Sequence, residues 1–326
     1  MNICKHNIKN KVLIVAEIGN NHEGNLKLAK KLIKEAYKAG ADAVKFQTFI
    51  TEEYISQKDE ERFNRIKSFQ LSFQEFKILK NYADSIGMIF FSSIFDLSSA
   101  KLIKNILPLY KISSGDINFY PLLEHLSKTS KPIILSTGIS NLRQVKKSYN
   151  FIKRINANKK IIVLHCISEY PTIDENANLS EIQILKKNFP IVGYSDHTLG
   201  IEACISSVAL GARIIEKHFT IDKNYSKFRD HQISSDPLEF LQLVKSIRRI
   251  EKMMLVKNKH KVLNKSITRS IVLNTDLKKD TVIKKEHISW LRPGYGIPPG
   301  SENLIVGKKV KKNLTKNTFI KFKDIY

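Results

Sequence analysis

The sequence predicts an α/β barrel of eight strand–helix units followed by a small β-rich domain. Three observations lead there: short apolar runs alternate with longer amphipathic segments from Lys11 to about Met254, those runs number eight, and the last sixty residues change to short β-like pieces around a Pro/Gly-rich turn. Apolar strands separated by amphipathic helices are what a parallel sheet buried on both faces requires. Eight is the number at which such a sheet closes into a TIM (β/α)8 barrel. With 326 residues the chain can hold a barrel, which takes about 250, and one further small unit.

In chain order the strand candidates are VLIVAEI (12–18), DAVKFQT (42–48), MIFFSS (88–93), PLYKISS (108–114), PIILST (132–137), IIVLHC (161–166), IVGYSD (191–196) and RIIEKH (213–218). Between the first two, Leu26, Ala29, Ile33 and Ala36 recur at helical spacing, with Asn25 placed to cap the helix and Gly40 to stop it. A doubly wound open sheet is the structural rival, but no glycine-rich dinucleotide fingerprint follows the first strand. The barrel is assigned residues 1–252. A Lys- and Asn-rich stretch with little periodicity, 253–266, reads as a linker. Residues 267–326 read as the β-rich domain, with SIVLN (270–274), DTVIK (280–284) and the turn RPGYGIPPG (292–300). A unit of that size has a marginal core, so it is expected to dock onto the barrel or a second subunit.

Composition narrows the function classes. The formal net charge is +24, mostly from lysines spread along the whole chain, and no nucleic-acid-binding motif focuses them. They read as a solvated surface that can steer anionic substrates, with no nucleic acid as partner. Cys4, Cys166 and Cys204 are odd in number and lack a CxxC pair, so neither a disulfide framework nor a thiolate zinc site is implied. No run of eighteen apolar residues occurs and the first eleven residues lack a secretory pattern, so a soluble cytoplasmic chain without a membrane partner is expected.

In such a barrel the active site lies at the C-terminal ends of the strands, so polar residues that close apolar runs deserve inspection. Nearly every strand has them: Glu17 on the first, Lys45 and Gln47 on the second, Ser93 on the third, Lys111 and Ser114 on the fourth, and Ser136 on the fifth. Ser168 and Tyr170 follow the sixth, Ser195 and His197 close the seventh, and His218 closes the eighth. Adjacent strands lie about 5 Å apart, so His197 and His218 can share a metal ion; each alone reads more readily as a hydrogen-bonded structural histidine, and it is the pair that brings ligation level with that reading. Lys45 and Lys111 interrupt apolar runs and call for an anion. That anion is either a phosphorylated substrate, helped by the serine hydroxyls, or a carboxylate inside the barrel such as Glu17 or Asp116.

Several segments together resemble the N-acetylneuraminate synthase family, which includes the legionaminate and pseudaminate synthases. The resemblance is carried by AEIGNNHEG (16–24), AGADAVKFQT (39–48), YKISSGD (110–116), KPIILSTG (131–138), YPT (170–172), GYSDHTLGI (193–201), ALGARIIEKHFT (209–220), RDHQISSDP (229–237) and RPGYGI (292–297). It spans nearly the whole chain, and the small domain resembles the family's antifreeze-like (SAF) module. The resemblance implies condensation of phosphoenolpyruvate with an open-chain N-acylated aminohexose to give a nine-carbon 2-keto acid and phosphate. It implies a divalent cation, Mn2+ or Mg2+, on His197 and His218. Phosphoenolpyruvate falls to Lys45, Ser93, Lys111, Ser114, Ser136, Ser168 and Ser195, the sugar to Gln47, Tyr170 and Arg292, and catalysis to Glu17, Asp116 and Asp230. Arg292 would reach the N-acyl group from a partner subunit, which implies a domain-swapped homodimer.

The chain departs from the family pattern at a few positions. Ser93 stands for threonine and is followed by Ile94 instead of proline; Asp116 replaces glutamate, Ser168 asparagine and Tyr295 asparagine; and the loop KNYSKFRDH (223–231) lacks PGPDH. These changes surround the sugar, so they bear on which hexosamine is used, with Glu169 and the altered loop leaning toward a bacterial surface-sugar relative. Two alternatives compete: a lysine Schiff-base pyruvate aldolase, which borohydride trapping would reveal, and a non-catalytic sugar-binding barrel, which phosphate release would exclude.

Overall fold

The computed structural model describes residues 2–4, 6–254 and 264–326. The chain divides at residue 255 into two compact units. Most of the predicted linker, residues 255–263, lies outside the described residues.

The first unit is a closed barrel of eight parallel strands. They are β1 (Leu13–Gly19), β2 (Ala43–Thr48), β3 (Ile89–Ile94), β4 (Tyr110–Ile112), β5 (Ile133–Ser136), β6 (Ile161–Cys166), β7 (Val192–Asp196) and β8 (Ile214–His218). Each strand pairs with the next in sequence, and β8 closes on β1 with His218 opposite Glu17. Each predicted run overlaps one strand. The fourth is the shortest because Ser114 leaves the ladder for the 3-10 turn Ser114–Asp116.

Helices wrap the outside. In α1 (Leu26–Lys38) the Asn25 side chain accepts from the Leu28 amide, and Leu28, Ala29, Leu32, Ile33 and Ala36 are buried against the sheet. Gly40 follows with φ +86°, a conformation that costs glycine nothing. After the single turn Thr51–Tyr54 come α2 (Glu60–Phe69) and α3 (Phe73–Ser85), so one βα connection carries an extra helix. Then α4 (Leu97–Ile103), α5 (Tyr120–Ser127), α6 (Leu142–Ile155), α7 (Glu181–Asn188) and α8 (Glu202–Leu210) follow their strands. The last, α9 (Pro237–Met254), buries Phe240, Leu243, Val244 and Ile247 and runs two residues beyond the boundary expected at 252.

Side chains alternate across a strand, so every second residue of each strand faces the barrel axis. Toward the strands' N-terminal ends these inward positions are apolar: Leu13, Val15, Ala43, Phe91, Leu109, Ile134, Ile162, Leu164 and Ile214 form one buried cluster. Ile3 and Ile8, from and beside the short antiparallel pair Asn2–Ile3 and His6–Asn7, complete it and plug that end. Two residues further along the same strands the inward positions turn polar. The barrel is thus dry at one end and polar at the other.

The second unit pairs β9 (Ser270–Leu273) with β10 (Ile288–Leu291) antiparallel, over a core that includes Ile271, Leu273, Ile283, Ile305, Val310 and Ile320. The expected strand DTVIK (280–284) forms only an isolated bridge, Val282 with Lys309, and Asp280 takes φ +65°, which breaks an extended run. Among the described residues no helix is long and apolar enough to cross a membrane.

Phe91 supports the polar layer from below, opposite Lys45 in register and fully buried. Phe91→Ala is expected to lower the barrel's stability by about 3–5 kcal/mol through the cavity it leaves. Denaturant unfolding followed by tryptophan-independent circular dichroism will read this, and a loss below about 1 kcal/mol would mean that the plug does not support the site.

Candidate active site

The polar layer is built by the strand alternation that packs the plug. Inward positions continue from Val15 to Glu17, from Ala43 to Lys45 and Gln47, from Leu109 to Lys111, from Ile134 to Ser136, from Leu164 to Cys166, and from Ile214 to Glu216 and His218. On β7 the inward series is Gly193 and Ser195, leading to His197 just past the strand end. A Cβ on Gly193 would lie 2.5 Å from the Ile214 carbonyl oxygen, so β7 and β8 approach this closely only over glycine.

At the floor of the layer sit two ammonium ions and two carboxylates. Lys45 Nζ is 2.9 Å from Glu17 Oε1 and 3.6 Å from Glu216 Oε1, and Lys111 Nζ is 3.2 Å from the same Glu216 oxygen. Lys45 also donates to Ser93 Oγ at 3.0 Å, and Ser195 Oγ donates to Glu216 Oε1 at 2.8 Å. None of the four charged side chains is more than 5% exposed. Burial raises the Glu17 carboxyl to about 7, with Lys45 opposing that rise and Glu216 adding to it. Burial also disfavours the Glu216 carboxylate, but Lys111, Lys45 and the Ser195 hydroxyl outweigh it and hold the group below its ordinary range. Lys111 is lowered by burial, which Glu216 only partly offsets. Of the two anion sources left open by the sequence, the carboxylates are therefore present, as Glu17 and Glu216. Asp116 is not among them.

Above the floor, Ser114, Ser136 and Ser168 converge. Gly138 N donates to Ser114 Oγ at 2.9 Å, and a Cβ on Gly138 would fall 2.4 Å from Ser168 Oγ and 3.1 Å from Cys166 Sγ. The missing side chain is what lets the hydroxyls approach.

The two histidine rings face one another across the ends of β7 and β8, with centroids 5.4 Å apart. His197 Nδ1 lies 2.6 Å from the Ile167 carbonyl oxygen, which only accepts, so Nδ1 carries a proton; burial disfavours the imidazolium, but Cys166 and the Ile167 carbonyl outweigh it and hold the ring above its ordinary pKa. His218 is held well below its ordinary pKa by burial, then by His197 and the nearby lysines, and its buried Nδ1 has no hydrogen-bond partner in the protein. An imidazole offers a ligating lone pair only in its neutral form, and in that form the two rings fit a divalent first-row cation. No third His, Cys, Asp or Glu completes a metal cluster among the described residues, so further ligand positions would fall to water and substrate. Tyr170 stacks 4.2 Å from His197, and the Arg229 guanidinium lies 4.4 Å above the tyrosine ring.

These groups line one cavity of about 1020 Å³. Besides the residues just described, its wall carries Gln47, Asp116 and Asp230. Gln47 accepts from Asn20 Nδ2 at 2.9 Å, burial pushes Asp116 up to about 6, and burial also raises Asp230. Among the predicted residues of the barrel, one is not on the wall. It is Ser93, fully buried and bonded to Lys45. Arg292 belongs to the second unit and is exposed there. Glu17 Oε2, Ser136 Oγ, Glu216 Oε2 and Asp230 Oδ1 are buried without a hydrogen-bond partner in the protein, a concentration of unmet polar groups that marks a ligand site.

Sequence reasoning missed Glu216, and the signal was there: two residues before His218 on a strand, it must share that histidine's face. It also missed Arg62 and Arg65 of α2 on the wall. Nothing in sequence spacing could place a helix inserted between β2 and α3.

Comparison with known proteins sharpens the picture. Residues 32–259 match the family model described as the NeuB family, and residues 268–325 match the SAF domain. An uncharacterised protein of Methanocaldococcus jannaschii is 44% identical over 96% of this chain and 94% of its own length. The N,N'-diacetyllegionaminic acid synthase of Campylobacter jejuni is 38% identical over 95% of this chain and 99% of its own. Among solved structures, the N-acetylneuraminic acid synthetase of Leptospira borgpetersenii in complex with citrate superposes with a TM-score of 0.74 at 37% identity, covering 78% of this chain and 88% of that one.

Glu216 Oε1 lies within 3.6 Å of both lysines and so competes with any external anion for them. In Glu216→Gln that internal competitor is gone, and inorganic phosphate is expected to bind at least about tenfold more tightly by calorimetry, since a buried charge without its partner attracts another. Unchanged phosphate affinity would show that the lysines are not available to an external anion.

Proposed function

The chain belongs to the NeuB family of sialic-acid-type synthases, and we propose that it condenses phosphoenolpyruvate with an open-chain N-acetylated hexosamine. The acceptor is N-acetylmannosamine or a diacetamido-6-deoxy relative, and the products are a nine-carbon 2-keto sugar acid and inorganic phosphate. What supports this most is the meeting, in one cavity at the C-terminal end of the barrel, of two metal-competent imidazoles with two lysines. An aldehyde needs polarising and a phosphorylated acid needs holding; the two pairs suit those two tasks.

His197 and His218 would hold Mn2+ or Mg2+, which when bound supplies Lewis acidity to the acceptor's carbonyl. Lys45 and Lys111, with Ser114, Ser136, Ser168 and Ser195, bind the phosphate and carboxylate of phosphoenolpyruvate, and Glu216 shares its lysines with them. Ser93 acts from behind, keeping the Lys45 ammonium aimed inward. Gln47 and Tyr170 orient the sugar, while Arg292 of a second copy in a homodimer takes the N-acyl group.

C3 of phosphoenolpyruvate forms the new bond to the aldehyde carbon, whose oxygen takes a proton and becomes a hydroxyl. C2 is left cationic, and the Glu17 carboxylate stabilises it. Water adds to C2 and gives up a proton, which balances the one taken by the aldehyde oxygen; Asp116 and Asp230, both raised by burial, relay these protons. Cleavage of the bond from C2 to the phosphate oxygen, with the proton of the C2 hydroxyl passing to the departing phosphate, leaves the 2-keto group. No Schiff base is needed. Lys45 in particular is held charged, because Glu17 and Glu216 outweigh its burial, and an ammonium ion is no nucleophile.

Mixing the full chain with phosphoenolpyruvate, each acceptor in turn and Mn2+ is expected to release phosphate and yield a nonulosonate seen by mass spectrometry. His218→Ala should lose about 100-fold or more of the metal-stimulated rate while keeping the parent circular dichroism. Full activity of that variant without metal would overturn the assignment.

Glu17 works as the carboxylate, and its pKa is raised, so the active form is lost as pH falls. For the free enzyme kcat/KM should therefore drop as pH decreases through about 7 and level off above it. The residual rate of Glu17→Gln should lack this limb; a limb that persists in the variant belongs to another group.

A further inference from the structure

We infer that Asp196 and Lys217, an ion pair on the helix-facing side of the barrel, are positioning residues that set the separation and aim of the His197 and His218 imidazoles. The inference rests on the metal reading proposed above and extends it to two side chains that touch neither ion nor substrate.

Lys217 and Asp196 are cross-strand neighbours on β8 and β7, each one residue before a histidine. Neighbouring residues on a strand point to opposite faces, so fixing the outer pair fixes the backbone from which the inner pair projects. Lys217 Nζ lies 2.7 Å from Asp196 Oδ2, with side-chain exposures of 1% and 0%. The same ammonium donates to the Thr198 carbonyl. His197 is therefore bracketed: the residues before and after it both bind the side chain that precedes His218. Asp196 is itself saturated. Its Oδ1 accepts from the Tyr194 hydroxyl at 3.0 Å and from the Thr198 amide and hydroxyl at 2.9 and 2.8 Å, and its Oδ2 accepts from Cys204 of α8 at 3.1 Å.

The other six strands have no Asp, Glu, Lys or Arg on that side of the sheet, where hydrocarbon dominates. Well-packed apolar residues in place of a buried ion pair are often neutral or stabilising, so folding stability alone does not account for charges here. Direction does. An ion pair with this many fixed hydrogen bonds holds two strand ends in one register, which hydrocarbon contacts leave free to slide by fractions of an ångström.

The test uses the full chain and Mn2+ as probe, with the bound ion followed by electron paramagnetic resonance and affinity by equilibrium dialysis. The neutral pair Asp196→Asn with Lys217→Met keeps the volume and the acceptor at Oδ1. It should retain the parent circular dichroism and metal-free phosphoenolpyruvate affinity, yet bind Mn2+ at least about tenfold more weakly and with a broadened spectrum. A folded double variant with Mn2+ affinity within about twofold of the parent, and the same spectrum, overturns the inference. Should that variant not fold, Lys217→Arg keeps the charge but displaces it, and must show weakening of at least about threefold for the inference to stand. If the parent itself takes up no Mn2+, the metal reading falls and the positioning role falls with it. Parent binding with unaltered variants removes only the positioning role.

Discussion

Two ammonium ions buried inside a barrel need anions, and much of the site follows from how that need is met. One oxygen, Glu216 Oε1, sits within salt-bridge distance of both Lys45 and Lys111 and also accepts from Ser195. Glu17 supplies the second negative charge. The four side chains come from β1, β2, β4 and β8, so the charges tie together strands on opposite sides of the barrel. An unpaired charge in such a place would cost several kcal/mol, and each member therefore constrains the position of the others.

The same neutral arrangement makes the site responsive. With both carboxylates ionised the floor carries no net charge, and any external anion must compete with an internal carboxylate for the lysines. Burial favours the neutral form of Glu17, while Glu216 stays ionised because two lysines and a hydroxyl face it. Two carboxylates of one chemistry thus take different protonation habits from their surroundings, a difference that general acid–base and electrostatic roles both exploit.

Rigidity is distributed around this floor in a consistent way. Below it, Phe91, Leu109 and Ile134 fill the barrel with hydrocarbon and exclude water. Beside it, Gly138 and Gly193 remove side chains where backbones or hydroxyls must approach. Behind it, Ser93 holds Lys45, and Asp196 with Lys217 ties the ends of β7 and β8. Several groups that face the cavity, Glu17, Ser136, Glu216, His218 and Asp230, keep unmet hydrogen-bonding capacity. Preorganisation of this kind is what lets fixed charges act on a reacting centre without reorganising at the moment of reaction.

The eight strands and their order were legible because a parallel barrel writes itself as repeated apolar runs between amphipathic helices, and a chain with that repeat has few other ways to bury both. The pairing of His197 with His218 was legible too, since neighbouring strands of a closed sheet must bring equivalent ends together. What sequence left undecided was which anion answers each lysine. Alternation gives the face of a residue but not its partner across the barrel, and only closure brings Glu216 of β8 to Lys111 of β4, 105 positions earlier. For the same reason the withdrawal of Ser93 behind Lys45, the entry of Arg62 and Arg65 from α2 and the absence of a strand at 280–284 were decided by tertiary structure. Periodicity is a local property that the chain carries in itself; the pairing of charges is a distance in space, fixed only once the barrel has closed.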